Sequence, residues 1–460
     1  MGNISGEKTV TTVSEFESKS ITRLFWKYSL FALAGMTLQM CSTVADGFFV
    51  GNGIGPVGMG AIGIIVPFWI VAVSFFNLFG VGGSILAAIK LGNGDKEGAR
   101  AVYGSTIVFS FLFAIIVAGI VLLNIDGILV SLGATPEILP SAKAYAVPYL
   151  IGIPFCVVGT VAYYFTRLAE RPLAAAIGYM GPAIISIIVE YILIFKLHIG
   201  MAGSAIPWII CVGMSVLLIP YLQIVDPLFK LNASDFKIKF SLVSEGCKIG
   251  FALFIVNIAT IFSTIIINNL IAKYGDPSLY IPVFAIINAY LAYILMLVTV
   301  SFIQGIQPIV SYNYGAKLFS RVRELIKVGI VQSSIFIILV MAIVFIFPTQ
   351  IVTFFIGPVP PLVDATVATM KIFLILYAFG NVSQIVSGYF MAVEKNGLAI
   401  LNGIARIIIF AVPLLFILPN FFGLNGIWMA QPGADTLSFI LALVCILGEY
   451  KKLKAMETTL

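Results

Sequence analysis

The sequence predicts an all-α membrane protein, with twelve transmembrane helices in two pseudo-twofold-related bundles of six. Three observations carry this reading. Hydrophobic residues make up 60% of the 460-residue chain, charged residues only 10%, and the mean hydropathy is +1.10. Apolar runs of spanning length recur throughout, for example 107–125 and 328–347, with charges clustered in the gaps between them. Finally, the sequence is written twice. Gly82–Arg100 (GGSILAAIKLGNGDKEGAR) recurs in loosened form as Gly305–Arg323 (GIQPIVSYNYGAKLFSRVR), an offset of 223 residues that also relates Gly200-x-x-Gly203 to Gly423-x-x-Gly426. In a membrane protein a repeat of this size marks two bundles able to rock about a central site, a transporter architecture.

The spans fall near 25–50, 60–89, 104–124, 144–166, 174–196, 202–224, 246–272, 280–314, 328–347, 371–392, 398–418 and 425–447. The second and eighth are overlong, which predicts tilt or kinks. Gly92-Asn-Gly94 reads as a tight turn and Gly357-Pro-Val-Pro-Pro361 as a rigid loop on the opposite side. With both termini inside, 21 lysines and arginines fall in inside segments and only four (Lys143, Lys196, Lys273, Lys371) outside, leaving Arg406 within a span. That asymmetry fixes count and orientation, and it accounts for the net charge of +6 without an anionic partner. The expected division is a cytoplasmic tail (1–24), a first lobe (25–224), a basic linker (225–245), a second lobe (246–447) and a second tail (448–460). Each half has six spans, so the two enter from the same side and are related by an axis along the membrane normal.

Several function classes lose ground here. The tail before the first span lacks the apolar core of a signal peptide. Cys41, Cys156, Cys211, Cys247 and Cys445 have no paired spacing, and His198 is the single histidine, so a disulfide framework, metal cluster or histidine relay is not expected. There is no P-loop, no nucleophile elbow and no soluble domain to carry nucleic-acid recognition. The chain reads as a non-enzyme without a cofactor.

Ionisable groups inside a bilayer are costly and therefore functional candidates. Asp46 is the sharpest: Gln39, Thr43 and Asp46 share one face of the first span. A carboxylate beside an amide and a hydroxyl can hold a proton or, with more oxygens, a sodium ion. Glu190, four residues after Ser186 on the fifth span, is its expected partner. Two carboxylates in one cavity suit proton exchange, because both cannot stay ionised there. Arg406 reads as half of a structural ion pair with Glu394 or Asp435. Asn77, Asn257, Gln304, Gln307 and Gln384 could together line a polar cavity, and Phe68, Tyr163, Tyr164 and Tyr290 could face lipophilic cations.

Asp46-Gly-Phe-Phe-Val-Gly51, Gly305-Ile-Gln-Pro-Ile-Val-Ser-Tyr-Asn-Tyr-Gly-Ala-Lys317 and Gly423-Leu-Asn-Gly-Ile-Trp-Met-Ala-Gln-Pro-Gly-Ala-Asp435 resemble the first-, eighth- and last-span signatures of the multidrug and toxic compound extrusion (MATE) family. The resemblance covers the chain after about residue 20 and is similar to the bacterial branch of MepA-like and DinF-like pumps. It implies two six-helix lobes around a V-shaped central cavity, antiport of small organic cations against protons or sodium, a cytoplasmic-membrane location and a monomer. It maps the family's coupling acid onto Asp46 and its fifth-span Asn-x-x-x-Asp pair onto Ser186 and Glu190. Serine here replaces asparagine, glutamate replaces aspartate, and the fourth-span asparagine is absent from Tyr163-Tyr-Phe-Thr-Arg167. Fewer amide oxygens weaken a sodium cage, so the expectation leans to protons, with sodium at Asp46 and Glu190 as the alternative. The rival function is a flippase for a lipid-linked or other amphipathic substrate, which needs a cationic cavity; within and beside the spans Arg406 stands against Asp46, Glu190, Glu394 and Asp435.

Overall fold

A computed structural model describes residues 14–356 and 359–458. Lys8, most of the first tail, and Gly357 and Pro358 of the expected rigid loop lie outside the described residues. Among the described residues, eleven helices are long and apolar enough to cross a bilayer, and a bent pair completes a twelfth crossing. In order, the spans are Ile21–Gly53, Pro56–Gly92, Lys96–Leu123, Leu139–Leu168, Pro172–Lys196, Ala202–Val225, Phe240–Tyr274, Pro277–Gly315, Phe319–Ile346, the pair Pro360–Phe373 and Tyr377–Ala392, Asn396–Phe422, and Leu424–Thr458. The tenth span differs most from expectation: its two helices meet at 55°, and only the second coincides with the apolar run at 371–392.

The backbone repeats as the sequence does. Gly94 and Lys317, 223 apart, both take left-handed φ values (+83° and +58°), as do Gly200 and Gly423 (+72° and +54°). A lysine there is uncommon, and the fold holds it in the turn that glycine makes in the first half. Asp95 follows Gly94 and caps the third span by accepting a hydrogen bond from Gly98 N at 2.7 Å.

Repeat glycines sit where the two halves touch. A Cβ on Gly82 would lie 2.1 Å from Gly246 O of the seventh span, and one on Gly305 would lie 2.0 Å from Ser29 Oγ of the first. Likewise a Cβ on Gly92 would meet Tyr312 O at 2.1 Å, and one on Gly315 would meet Ile89 O at 2.2 Å. The second and eighth spans thus cross about the pseudo-twofold axis with bare backbones in contact, a packing only small residues allow. This contact lies at the end of the bundle that carries the basic loops, here called the basic end. Phe25 stacks on Phe302 and Asn257 Nδ2 donates to Ser74 Oγ at 3.2 Å, so the seal reaches about mid-height.

Residues 14–20 complete the seal from the side. Ser14 Oγ and Glu15 N donate to the Glu170 carboxylate of the first lobe, the latter at 3.0 Å. On the other flank, Tyr312 Oη donates to Glu17 at 2.9 Å, and Arg321 Nη2 donates to the carbonyls of Phe16 and Lys19, both at 2.7 Å. Phe16, 1% exposed, fits between Tyr28 and Tyr312 with ring centres 5.6 and 5.4 Å away; burying such a ring contributes about 1.5–3 kcal/mol. Burial opposes the charge on Glu15, but Lys19, Lys27 and Tyr28 all donate to it and hold its carboxyl below the usual glutamate range.

Candidate functional site

Asp46 and Glu190 lie beyond the seal, in the half of the first lobe away from the basic end. The first span delivers Asp46 seven residues before it ends at Gly53. The fifth span is interrupted at Gly181, continues as Pro182–Tyr191, and loosens into π-helical turns at Ile192–Lys196 directly after Glu190. Such turns recur at functional positions because they re-aim a side chain without ending the helix.

The two carboxyls are close enough to interact electrostatically. Glu190 is 2% exposed, and its Oε1 finds no donor among the described residues. Asp46 is half-buried and accepts from Ser204 Oγ at the start of the sixth span. Ionised carboxylates only accept hydrogen bonds and repel each other, so two neighbouring carboxyls favour keeping one proton between them. No cation pairs with either acid among the described residues. The arrangement can therefore carry one negative charge or, with a second proton, none. Nearby, Ser42 and Ser186 are hydroxyl to hydroxyl at 3.1 Å; Ser186 donates to Ala183 O at 2.8 Å, which leaves Ser42 as the donor between them. Tyr145 of the fourth span feels both acids.

The other expected residues are distributed differently. Thr43 donates to Gln39 O of its own helix at 3.2 Å rather than to Asp46, and Gln39 is half-buried. Tyr163, Tyr164, Gln304 and Gln307 are all buried in the seal between the lobes, not on an open wall. There Tyr163 Oη donates to Gln304 Oε1 at 2.9 Å and Tyr164 Oη to Asn77 Oδ1 at 3.3 Å. Asn257 closes the top of the same seal. Phe68 lines an apolar cavity of about 280 Å³ between the second, third and fourth spans, with Phe75, Phe76, Phe79, Phe113 and Leu150. Tyr290 stacks on Phe355 at 4.7 Å. In the second lobe Arg406 pairs with Asp435 rather than Glu394, with Gln431 Nε2 donating to the same aspartate oxygen at 3.1 Å and the guanidinium 5.0 Å from the Tyr377 ring centre. Gln384 is half-buried on the tenth span, next to the Tyr377 hydroxyl. Glu394 lies in a turn at the basic end with φ +60°. Burial and the nearby Glu245 push its carboxyl up, while Lys90 works against them.

Ser204, Ser42 and Tyr145 are absent from the sequence-level candidates. A lone serine in an apolar helix carries no signal of its own, although Ser204 directly follows the repeated Gly200-x-x-Gly203.

The sequence profile of the MatE family matches residues 32–192 and 252–430, most of both lobes. The chain belongs to the MatE family. Multidrug export protein MepA of Staphylococcus haemolyticus is 25% identical over 450 residues, 97% of each chain, and that of Staphylococcus aureus (strain NCTC 8325) is 24% identical over 94% of each. Among solved structures, an outward-facing multidrug resistance MATE family transporter superposes with a TM-score of 0.90 at 18% identity, covering 97% of this chain and 99% of its own. A MOP superfamily transporter from Pyrococcus furiosus, described as having reversed polarity of its binding pocket, superposes at 0.89 with 19% identity over 96% and 98%. MatE membership accounts for the two six-helix lobes and for the repeat.

Proposed function

We propose that the protein is a secondary efflux antiporter that exports organic cations in exchange for protons by alternating access. The observation that carries this is the Asp46–Glu190 pair: two neighbouring carboxyls, one half-buried and one buried, with no paired base among the described residues. Loss of a proton leaves charge that attracts a cation, and uptake of a proton removes it, so proton and cargo favour different states of the lobe. Protonation needs only the carboxyls. A sodium ion needs several oxygens, and beside the two acids the described donors are the hydroxyls of Ser204, Ser186 and Ser42. The basic end is assigned to the cytoplasm of the cell, placing both termini inside and the seal on the cytoplasmic side. One coupled charge draws about 2.3 kcal/mol per 100 mV of membrane potential. The names of the MepA relatives support multidrug cargo. The flippase reading loses support because Arg406, the cationic group the sequence offers it within a span, is neutralised by Asp435, and Arg167 is closed inside the seal.

The test is proton movement in energised inside-out vesicles on addition of a panel of lipophilic cations, wild type beside Asp46→Asn. Proton efflux on cation addition, lost in the variant, is expected. A sodium-dependent response would replace the proton, and silence with either ion would remove cation antiport.

A further inference from the structure

Arg167 closes the fourth span, yet it is 3% exposed and lies between the two lobes. Its Nη1 donates to Gln304 Oε1 at 3.0 Å and its Nη2 to Gln304 O, with the guanidinium 5.4 and 5.9 Å from the Tyr163 and Tyr164 ring centres. All of these partners are neutral. None of the ion pairs among the described residues includes Arg167. The acids of the same region are committed elsewhere, Glu15 to Lys19, Lys27 and Tyr28, and Glu170 to Ser14 and the Glu15 amide. A buried charge without a counter-charge is costly, and neutral acceptors offset only part of that cost.

Beside it is a cavity with room for about one water-sized particle, bordered by Ser84, Tyr164, Arg167, Gln307 and Pro308. Gln307 is 4% exposed and its Nε2 has no acceptor among the described residues. Ser84 and Tyr164 already donate, to Val81 O and to Asn77, so the donors left at this wall are the arginine and the amide. Arg167 and Tyr164 come from the first lobe, Gln307 and Pro308 from the second.

We propose that this cavity is a binding site for a monovalent inorganic anion of chloride size, held between Arg167 and the Gln307 amide. A water molecule would satisfy the amide but not the charge; an anion does both. Because the walls belong to different lobes, the site exists only while the lobes are closed at the basic end. The anion therefore binds one state of the transport cycle and stabilises it by mass action.

The full chain in detergent is crystallised with bromide, and its thermal unfolding is followed in chloride against gluconate at constant ionic strength. The expected results are an anomalous peak between Arg167 and Gln307 and a saturable halide-dependent rise in Tm. Gln307→Leu is expected to need at least tenfold more halide for half-saturation. Gln307→Glu, which builds the negative charge in, is expected to keep its stability in gluconate and lose the halide response. A purely structural glutamine would not separate these two variants in that way. Density without anomalous signal at saturating bromide, or equal halide dependence in wild type and Gln307→Glu, overturns the proposal.

Discussion

The two lobes share a backbone plan but treat buried charge in opposite ways. In the first, Asp46 and Glu190 face each other with hydroxyls and no base, and π-helical turns follow Glu190. In the second, π-helical turns at Ala405–Ala411 hold the half-buried Arg406 against the fully buried Asp435, with Gln431 and Tyr377 around them. The residue 223 positions after Asp46 is Asn269, an amide that cannot ionise. Gly380 leaves the space for the second lobe's pair, since a Cβ there would lie 2.5 Å from Asp435 Oδ1. A duplicated bundle can thus loosen the equivalent spans, the fifth and the eleventh, at different heights, while one copy retains a net charge that can change and the other cancels its charge. A compensated pair resists titration and braces helices; an uncompensated one must exchange something with its surroundings.

This contrast can be broken most severely at the carboxyls. Glu190→Gln is expected to abolish the cation-dependent proton signal in vesicles while leaving the folded fraction unchanged. Combining Asp46→Asn with Asn269→Asp, which moves the acid to the second lobe, is expected not to restore it. Restoration would show that the lobes are interchangeable. Next in size, Arg406→Ala strands Asp435 and should cost about 3–5 kcal/mol of stability, read by thermal unfolding in detergent. Replacing both, Arg406→Met with Asp435→Leu, should recover most of that loss and keep transport. If the double variant is stable but silent, the second lobe's pair is part of the mechanism. Ser204→Ala removes a hydrogen bond to a carboxylate, worth about 1.5–3 kcal/mol. It is expected to shift the pH profile of transport without abolishing it, and an unchanged profile would leave Ser204 as packing.

The smallest effect is at Glu394, outside the spans. Its carboxyl is pushed up by burial and Glu245 against the pull of Lys90, so the folded protein holds that proton more tightly than the unfolded chain. Its contribution to stability is full below the unfolded value and is lost as pH rises through the folded one. Glu394→Gln should flatten that part of the stability profile; a parallel profile would remove Glu394 as its source.

Much of the lobe contrast was legible in the sequence, because ionisable residues in apolar runs announce themselves: Asp46, Glu190, Arg406 and Asp435 all stood out. So did the repeat, which proved to mark the contact of Gly82, Gly92, Gly305 and Gly315. Other features were not legible, for identifiable reasons. Arg167 ends its helix and counts naturally as a loop charge; only the packing of the eighth span against it makes it buried. Ser204 gains meaning from a partner 158 residues away. The polar side chains Gln304, Gln307, Tyr163 and Tyr164 suit a cavity wall as well as a closed seam, and the choice depends on which way the lobes lean. The bend in the tenth span lies at Leu374–Leu376, an apolar stretch without proline or glycine.

The strap formed by residues 14–20 also bears on how the protein is made. Phe16 leaves the ribosome first, but Asn313 and Arg321, which hold its carbonyl, lie 297 and 305 residues further along the chain, and Tyr312 directly precedes them. At about 5–20 residues per second, that is a delay of roughly 15–60 s. Throughout it the first lobe can be complete while an aromatic side chain and its backbone carbonyl lack their partners from the second. Closure of the basic end is therefore one of the last events of biogenesis, and a half-synthesised chain has no sealed state.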